Sequence, residues 1–223
     1  MKTIELFENE RATGYNQFVE NWIPNYHYFL SLLPKLLQDI SQKELLVVGC
    51  GTGNEIEEFT KAAEAWQITG VDPSPEIIAQ AKVKLQKYNN VQLLEGVLSD
   101  LDRNKNYNAD TLLLVLHFIP DNGEKLEMLK NIAERLVSKA PLILLDITGD
   151  KAQIKGNLGV LRALLPHGLD KEKVENRLQR IAQDLHHVGE HRLVELLVEA
   201  GFERPLRFFQ SSVYMGWVAY KKL

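Results

Sequence analysis

A single cysteine, Cys50, in 223 residues leaves nothing for an internal disulfide to pair with, and no spaced set of Cys and His offers ligands for a structural metal. A reducing compartment fits that scarcity, and no metal is expected. Long apolar runs are missing too. No stretch approaches the roughly 18 residues of a spanning helix, and Met1-Lys2-Thr3-Ile4-Glu5 has no apolar secretion core. The expectation is a cytoplasmic protein with no membrane partner. Basic blocks are absent as well: 30 acidic residues outnumber 26 basic ones, for a formal net charge of -4, and the cations are scattered. Capture of nucleic acid by charge alone is disfavoured, although a local basic patch for an RNA substrate stays open.

What is present suits one buried domain with a helical attachment. Hydrophobic residues make up 45% and charged residues 25%, both ordinary globular values. From residue 44 onward short apolar runs alternate with amphipathic segments, the pattern of a parallel sheet covered by helices. Leu45-Leu46-Val47-Val48, Ile68-Thr69-Gly70-Val71, Val91 to Glu95, Thr111 to Leu116 and Leu142 to Leu145 read as five strands. Between them, Asn54 with Glu57 reads as a capping box opening a helix that buries Ile56, Phe59, Thr60 and Ala63. Ser74-Pro75 reads as a cap and first turn, ahead of a face at Ile78, Ala81 and Leu85. Leu126, Leu129, Ala133 and Leu136 form another helical face.

Four segments follow from this reading: a helical cap over 1–43, with an apolar face at Leu32, Leu33, Leu36 and Leu37; a core over 44–150; a helical lid over 151–187, broken at Pro166-His167-Gly168; and a terminal helix and β-hairpin over 188–223.

The strongest chemical signal is a buried strand running into Gly49-Cys50-Gly51-Thr52-Gly53 and then a helix. Glycines there allow positive φ and close approach of a ligand, while the helix start offers free N–H groups. A dinucleotide fingerprint would need glycine at position 54, where the chain has Asn54, so a nicotinamide enzyme is the runner-up. Asp72 closes the second strand 19 positions after Gly53, where a carboxylate can accept from both hydroxyls of a ribose.

The stretch Leu45 to Gly53 resembles the first motif of class I S-adenosylmethionine-dependent methyltransferases, and Val71-Asp72-Pro73-Ser74 resembles their second. Phe7-Glu8-Asn9-Glu10-Arg11, Pro24-Asn25-Tyr26, Leu116-His117-Phe118 and Ala200-Gly201-Phe202 further resemble the carboxy-S-adenosylmethionine-dependent tRNA wobble-uridine carboxymethyltransferases. The resemblance implies an α/β Rossmann-like fold: a mostly parallel seven-stranded sheet, the last strand antiparallel, with helices on both faces and a helical lid. It implies S-adenosylmethionine as cofactor, held by Gly49, Cys50, Gly51, Thr52, Gly53, Asp72, Pro73, Gly96, Val97, Leu98 and Val115. Where many relatives have Gly-Asp after the third strand, this chain has Gly96-Val97, so backbone around Val97 and Leu98 would read adenine, and Asp100 reads as a loop residue. By residue match Tyr26 approaches the methionine end of the cofactor.

The carboxymethyl donor of those relatives needs an arginine for its extra carboxylate. Arg177 stands one position from the matching site and Arg180 is nearby, but neither falls on it, so the ordinary donor is expected. His117 is the candidate general base, an imidazole being suited to proton transfer near neutrality; packing without a proton to move is the alternative. Tyr15, Arg162 and Arg177 are the candidate contacts to the acceptor, a small molecule or an RNA. A homodimer and a non-catalytic cofactor-binding protein stay open.

Overall fold

The computed structural model describes residues 5–62 and 65–223, so the reading of residues 1–4 and the burial expected of Ala63 lie outside the described residues. Seven strands form one sheet: β1 (Glu44–Val48), β2 (Gln67–Asp72), β3 (Val91–Glu95), β4 (Ala109–Leu113), β5 (Pro141–Ile147), β6 (Leu206–Ser211) and β7 (Tyr214–Tyr220). Their order is β3-β2-β1-β4-β5-β7-β6, with β1 to β5 parallel and β7 antiparallel to both its neighbours. The chain runs outward from β1 to β3 and then returns to the other side of β1 with β4. Between the carboxyl ends of β1 and β4 this reversal leaves the crevice in which open α/β sheets bind ligands.

Alternation along the strands divides the core in two. Leu45, Val47, Ile143 and Leu145 face one apolar cluster, which takes in α2 (Tyr15–Trp22), α3 (Tyr26–Leu36), α4 (Asn54–Ala62) and α5 (Pro75–Leu85). Leu46, Val48, Leu142 and Leu144 face a second cluster, built on α6 (Glu124–Arg135) and α9 (Glu190–Glu199). Strands buried on both faces read as continuous apolar runs, which is why β1 and β5 were legible. Between β5 and α9 the chain inserts two further helices, α7 (Lys151–Leu164) and α8 (Lys171–Gln183). A short helix α1 (Glu10–Thr13) precedes α2.

Several local expectations change. β4 begins at Ala109 and stops at Leu113, short of the apolar run's end at Leu116. Leu114 takes φ 61°, a left-handed conformation that ends the strand, and Leu116–Phe118 wind into a 3₁₀ turn. Apolar periodicity cannot signal such a turn, because Leu114 and Val115 are as apolar as strand residues.

The buried face of α3 is Tyr26, Phe29, Leu30 and Leu33, continuing to Leu37, while Leu36 is exposed. Asn54 is the first residue of α4, and the expected capping box gives way to long-range bonds. Its amide donates to Asn16 Oδ1 at 3.1 Å and Tyr26 Oη at 3.4 Å, and its oxygen accepts from Lys84 Nζ. Asn54 thereby ties the glycine loop to the N-terminal helices.

Asp100 also does more than fill a loop. Its Oδ2 accepts the Val97 N–H at 2.8 Å and closes the turn after β3. Among the described residues no helix is long and apolar enough to cross a membrane, and no group of three or more His, Cys, Asp or Glu could hold a metal.

Candidate functional site

The glycine loop leaves β1 with Gly49, Gly51 and Gly53 all at positive φ, 71°, 53° and 79°. Each has a different neighbour where a side chain would go. A Cβ on Gly49 would collide with Val115 Cγ2, one on Gly53 would lie 2.6 Å from Leu85 Cδ1, and one on Gly51 would lie 3.1 Å from Tyr15 Oη. Gly49→Ala should therefore cost about 1–3 kcal/mol of stability, from the strained φ plus the displacement of Val115. Thermal unfolding of the variant checks this, and an unchanged Tm would mean that the loop relaxes freely.

Gly49 and Gly51 line a cleft of about 300 Å³ at the carboxyl ends of β1, β2 and β4. Asp72, at the end of β2, lies on its wall. One carboxylate oxygen accepts the Gly51 N–H at 3.0 Å and the other accepts the Ser74 N–H at 2.9 Å. Burial pushes the Asp72 carboxyl up, and these two amides oppose the shift. Pro73, Gly96, Val97, Leu98 and Val115 also line this cleft, together with Ile77 and Met128, which gives it a largely apolar interior. The Val97 N–H is already bonded to Asp100, so Val97 can offer an adenine only its side chain and carbonyl.

The N-terminal segment covers the cleft. The Phe7 N–H donates to Ser74 Oγ at 3.1 Å and the Asn9 N–H to Glu76 at 2.9 Å, which docks residues 7–9 on the start of α5. Phe7 packs edge-on against Tyr15 and Phe118. Tyr15, Phe7, Leu114 and Phe118 also border a second cavity of about 390 Å³, roofed by α1, α2 and α8.

His117 lines this second cavity. Its Nδ1 lies 2.8 Å from Asp146 Oδ1, with both side chains almost wholly buried. Asp146 sits near the end of β5, beside the end of β4, and accepts two further bonds, from the Leu116 N–H at 2.8 Å and the Ile147 N–H at 2.7 Å. A carboxylate fixed by two amides holds the proton of His117 on Nδ1 and leaves Nε2 to act on a ligand. Buried Lys125 donates to the carbonyls of Leu116 and Ile119, pinning the turn that carries His117. Burial pulls its ammonium down to about 8.

Not every residue singled out in the sequence comes to these cavities. Cys50 and Thr52 turn away from the cleft, and Thr52 donates to Asn16 Oδ1 at 2.5 Å. Gly53 packs on Leu85. Tyr26 is buried beside the loop, in a small space shared with Cys50, Thr52 and Glu55, outside the main cleft. Arg162 lies on the outside of α7, its guanidinium paired with Glu175 of α8, and lines neither cavity. Tyr15 and Arg177 do reach the second cavity, and Arg180 stands where Arg162 was expected. Asp146, Phe7, Glu5 and Lys125 were missed. Asp146 could have been found, because a strand ending in Asp next to the strand that ends before His117 brings the two together in any sheet of this order.

Residues 45–139 match the family described as methyltransferase domain. A protein of Methanobrevibacter smithii, named a probable cobalt-precorrin-6B C(15)-methyltransferase (decarboxylating), is 32% identical over 111 residues. That alignment covers 48% of this chain and 55% of the relative, so the chain spans about half the length of the curated protein it matches. Among solved structures, the plantazolicin methyltransferase BpumL, in complex with a pentazolic desmethylPZN analog and SAH, superposes with a TM-score of 0.70 at 14% identity. It covers 97% of this chain and 92% of that one. Human N-acetylserotonin methyltransferase in complex with SAM gives 0.59 at 16% identity, over 94% of this chain and 60% of that one. The chain thus has the class I methyltransferase fold.

Proposed function

We propose that this chain is an S-adenosylmethionine-dependent methyltransferase acting on a small-molecule acceptor, with His117 as general base. One observation carries the reading: the cleft on the glycine loop and the cavity of the His117–Asp146 pair meet at Tyr15, Leu114 and Phe118. Cofactor and acceptor would then face each other across that junction.

The residues present fit the cofactor. Asp72 accepts two backbone amides and the Ser74 hydroxyl, and a carboxylate offers about four acceptor positions, so roughly one remains for a hydroxyl of a ribose. The apolar wall of Ile77, Val97, Leu98 and Met128 suits an adenine ring. When bound, S-adenosylmethionine supplies a methyl carbon whose bond to the cationic sulfur breaks as the bond to the acceptor forms, the electron pair staying on sulfur.

The chain's own part is to orient, to dry and to deprotonate. Phe7, Tyr15 and Phe118 keep water from the junction. His117 Nε2 takes the proton of an acceptor hydroxyl or amine, and Asp146 stabilises the imidazolium through Nδ1–H. Enclosure of the second cavity by α1, α2 and α8 supports a small acceptor over an RNA.

Calorimetry with S-adenosylhomocysteine tests the cofactor assignment directly. Wild type is expected to bind it, and Asp72→Ala to bind about 10- to 100-fold more weakly, through loss of a charge-assisted hydrogen bond. Absence of wild-type binding, or an Asp72→Ala variant that binds equally well, overturns the reading.

A further inference from the structure

Three guanidinium groups, those of Arg11, Arg177 and Arg180, reach the second cavity. Two are answered by a single carboxylate, since Glu5 bonds both Arg11 and Arg180 at 2.7 Å. Arg177 is different. Among the described residues no carboxylate lies within ion-pair distance of it, and its Nε is shut off from solvent without a hydrogen-bond partner. The guanidinium lies 4.7 Å from the Phe18 ring face and donates to the neutral Tyr214 hydroxyl. Burial holds this guanidinium below the usual arginine range, and the charges of Arg180 and Arg11 act in the same direction. Glu10, also on the cavity wall, is exposed at its rim.

A partly buried cation with a sealed, unpaired N–H, beside two like charges that share one carboxylate, is costly unless something anionic answers it. The planar fork of arginine matches the two oxygens of a carboxylate in a bidentate pair. Phe18, Val19, Ile23 and Phe118 give the wall an apolar stretch facing the same space as His117, while Asn176, Tyr15 and Tyr214 add polar groups to it. We propose that the acceptor is a carboxylic acid with an apolar or aromatic body, its carboxylate seated on Arg177 and its nucleophilic hydroxyl or amine turned toward His117. This names the substrate class of the methyltransferase proposed above and rests on that reading.

Benzoate and its uncharged isostere benzamide are the probes, titrated into the protein saturated with S-adenosylhomocysteine at fixed ionic strength. Benzoate is expected to bind at least about 10-fold more tightly, the scale of one well-desolvated charge pair. Arg177→Gln should bring the two within about 3-fold while S-adenosylhomocysteine affinity stays at its wild-type value. Should Arg177→Gln fail to fold, Arg177→Lys keeps the charge without the fork and should lose part of the preference. The wild-type comparison needs no variant at all. Benzoate binding no tighter than benzamide, or a preference that survives in Arg177→Gln, overturns the proposal. Failure of wild type to bind S-adenosylhomocysteine overturns the underlying methyltransferase reading instead.

Discussion

His117→Ala is expected to slow methyl transfer by about 10²- to 10⁴-fold, the usual contribution of a positioned base, while S-adenosylhomocysteine affinity is unchanged. Asp146→Asn should cost about 10- to 100-fold, by one of two routes that follow from the geometry. An asparagine that keeps its oxygen toward His117 and Ile147 preserves the tautomer but loses the charge facing the imidazolium. One that turns its nitrogen toward His117 Nδ1 drives the proton onto Nε2, the atom that must be free to accept. Either orientation also sets an amide donor against a backbone N–H, of Leu116 or of Ile147. The variant should therefore be less stable by about 1–3 kcal/mol, and rates must be compared well below its Tm.

Asp146 acts through His117, so the two losses should not add. In a His117→Ala background, Asp146→Asn should change kcat by less than about 3-fold. Single-turnover assays on an acceptor found by screening measure all four corners of the cycle. A His117→Ala enzyme within about 3-fold of wild type would show that positioning alone supports transfer and that this histidine only packs.

Much of this site was legible because it is local in sequence. Gly49 to Gly53 and Asp72 lie at strand ends whose apolar runs announce themselves, and a parallel sheet fixes where those ends lie. What escaped is what depends on contacts far along the chain. Asp146 and His117 are 29 positions apart and meet only because β5 pairs with β4. Asn54 resembles a helix cap, yet its bonds to Asn16, Tyr26 and Lys84 come from segments about 30 residues away on either side. Local propensity cannot weigh such partners. Arg162 and Arg177 both read as lid arginines, and only the packing of α7 on α8 decides that the first pairs with Glu175 outside while the second turns in. The left-handed Leu114 has no sequence signature, since no glycine or asparagine marks it.

Glu55→Gln is expected to make the protein more stable at alkaline pH by on the order of 3 kcal/mol, and to change it little near pH 4.5. Glu55 is in the first turn of α4, where a carboxylate ordinarily gains about 0.3–1 kcal/mol from the helix dipole. Burial outweighs that gain. The side chain is only 5% exposed, its Oε1 accepts from Thr111 Oγ1 at 2.6 Å, and burial pushes its carboxyl up to about 8 despite that bond.

Next to Thr111, Asp110 is fully buried with neither carboxylate oxygen bonded, and is raised well above the ordinary range by burial and then by the charge of Glu55. In the unfolded chain Glu55 releases its proton near 4.5, whereas in the fold it holds it to about 8. Across that window the folded state binds more protons, so stability is full below about pH 4.5 and falls as pH rises toward 8. Glutamine keeps an oxygen for Thr111 and has no proton to lose, so the variant should show a flatter profile, with a residual slope from Asp110. Urea unfolding at intervals from pH 5 to 9 measures both curves. Parallel curves for wild type and Glu55→Gln would mean that the acid beneath the glycine loop is ionised in the fold, and would move a negative charge next to Cys50 and Gly51, at the edge of the cofactor cleft.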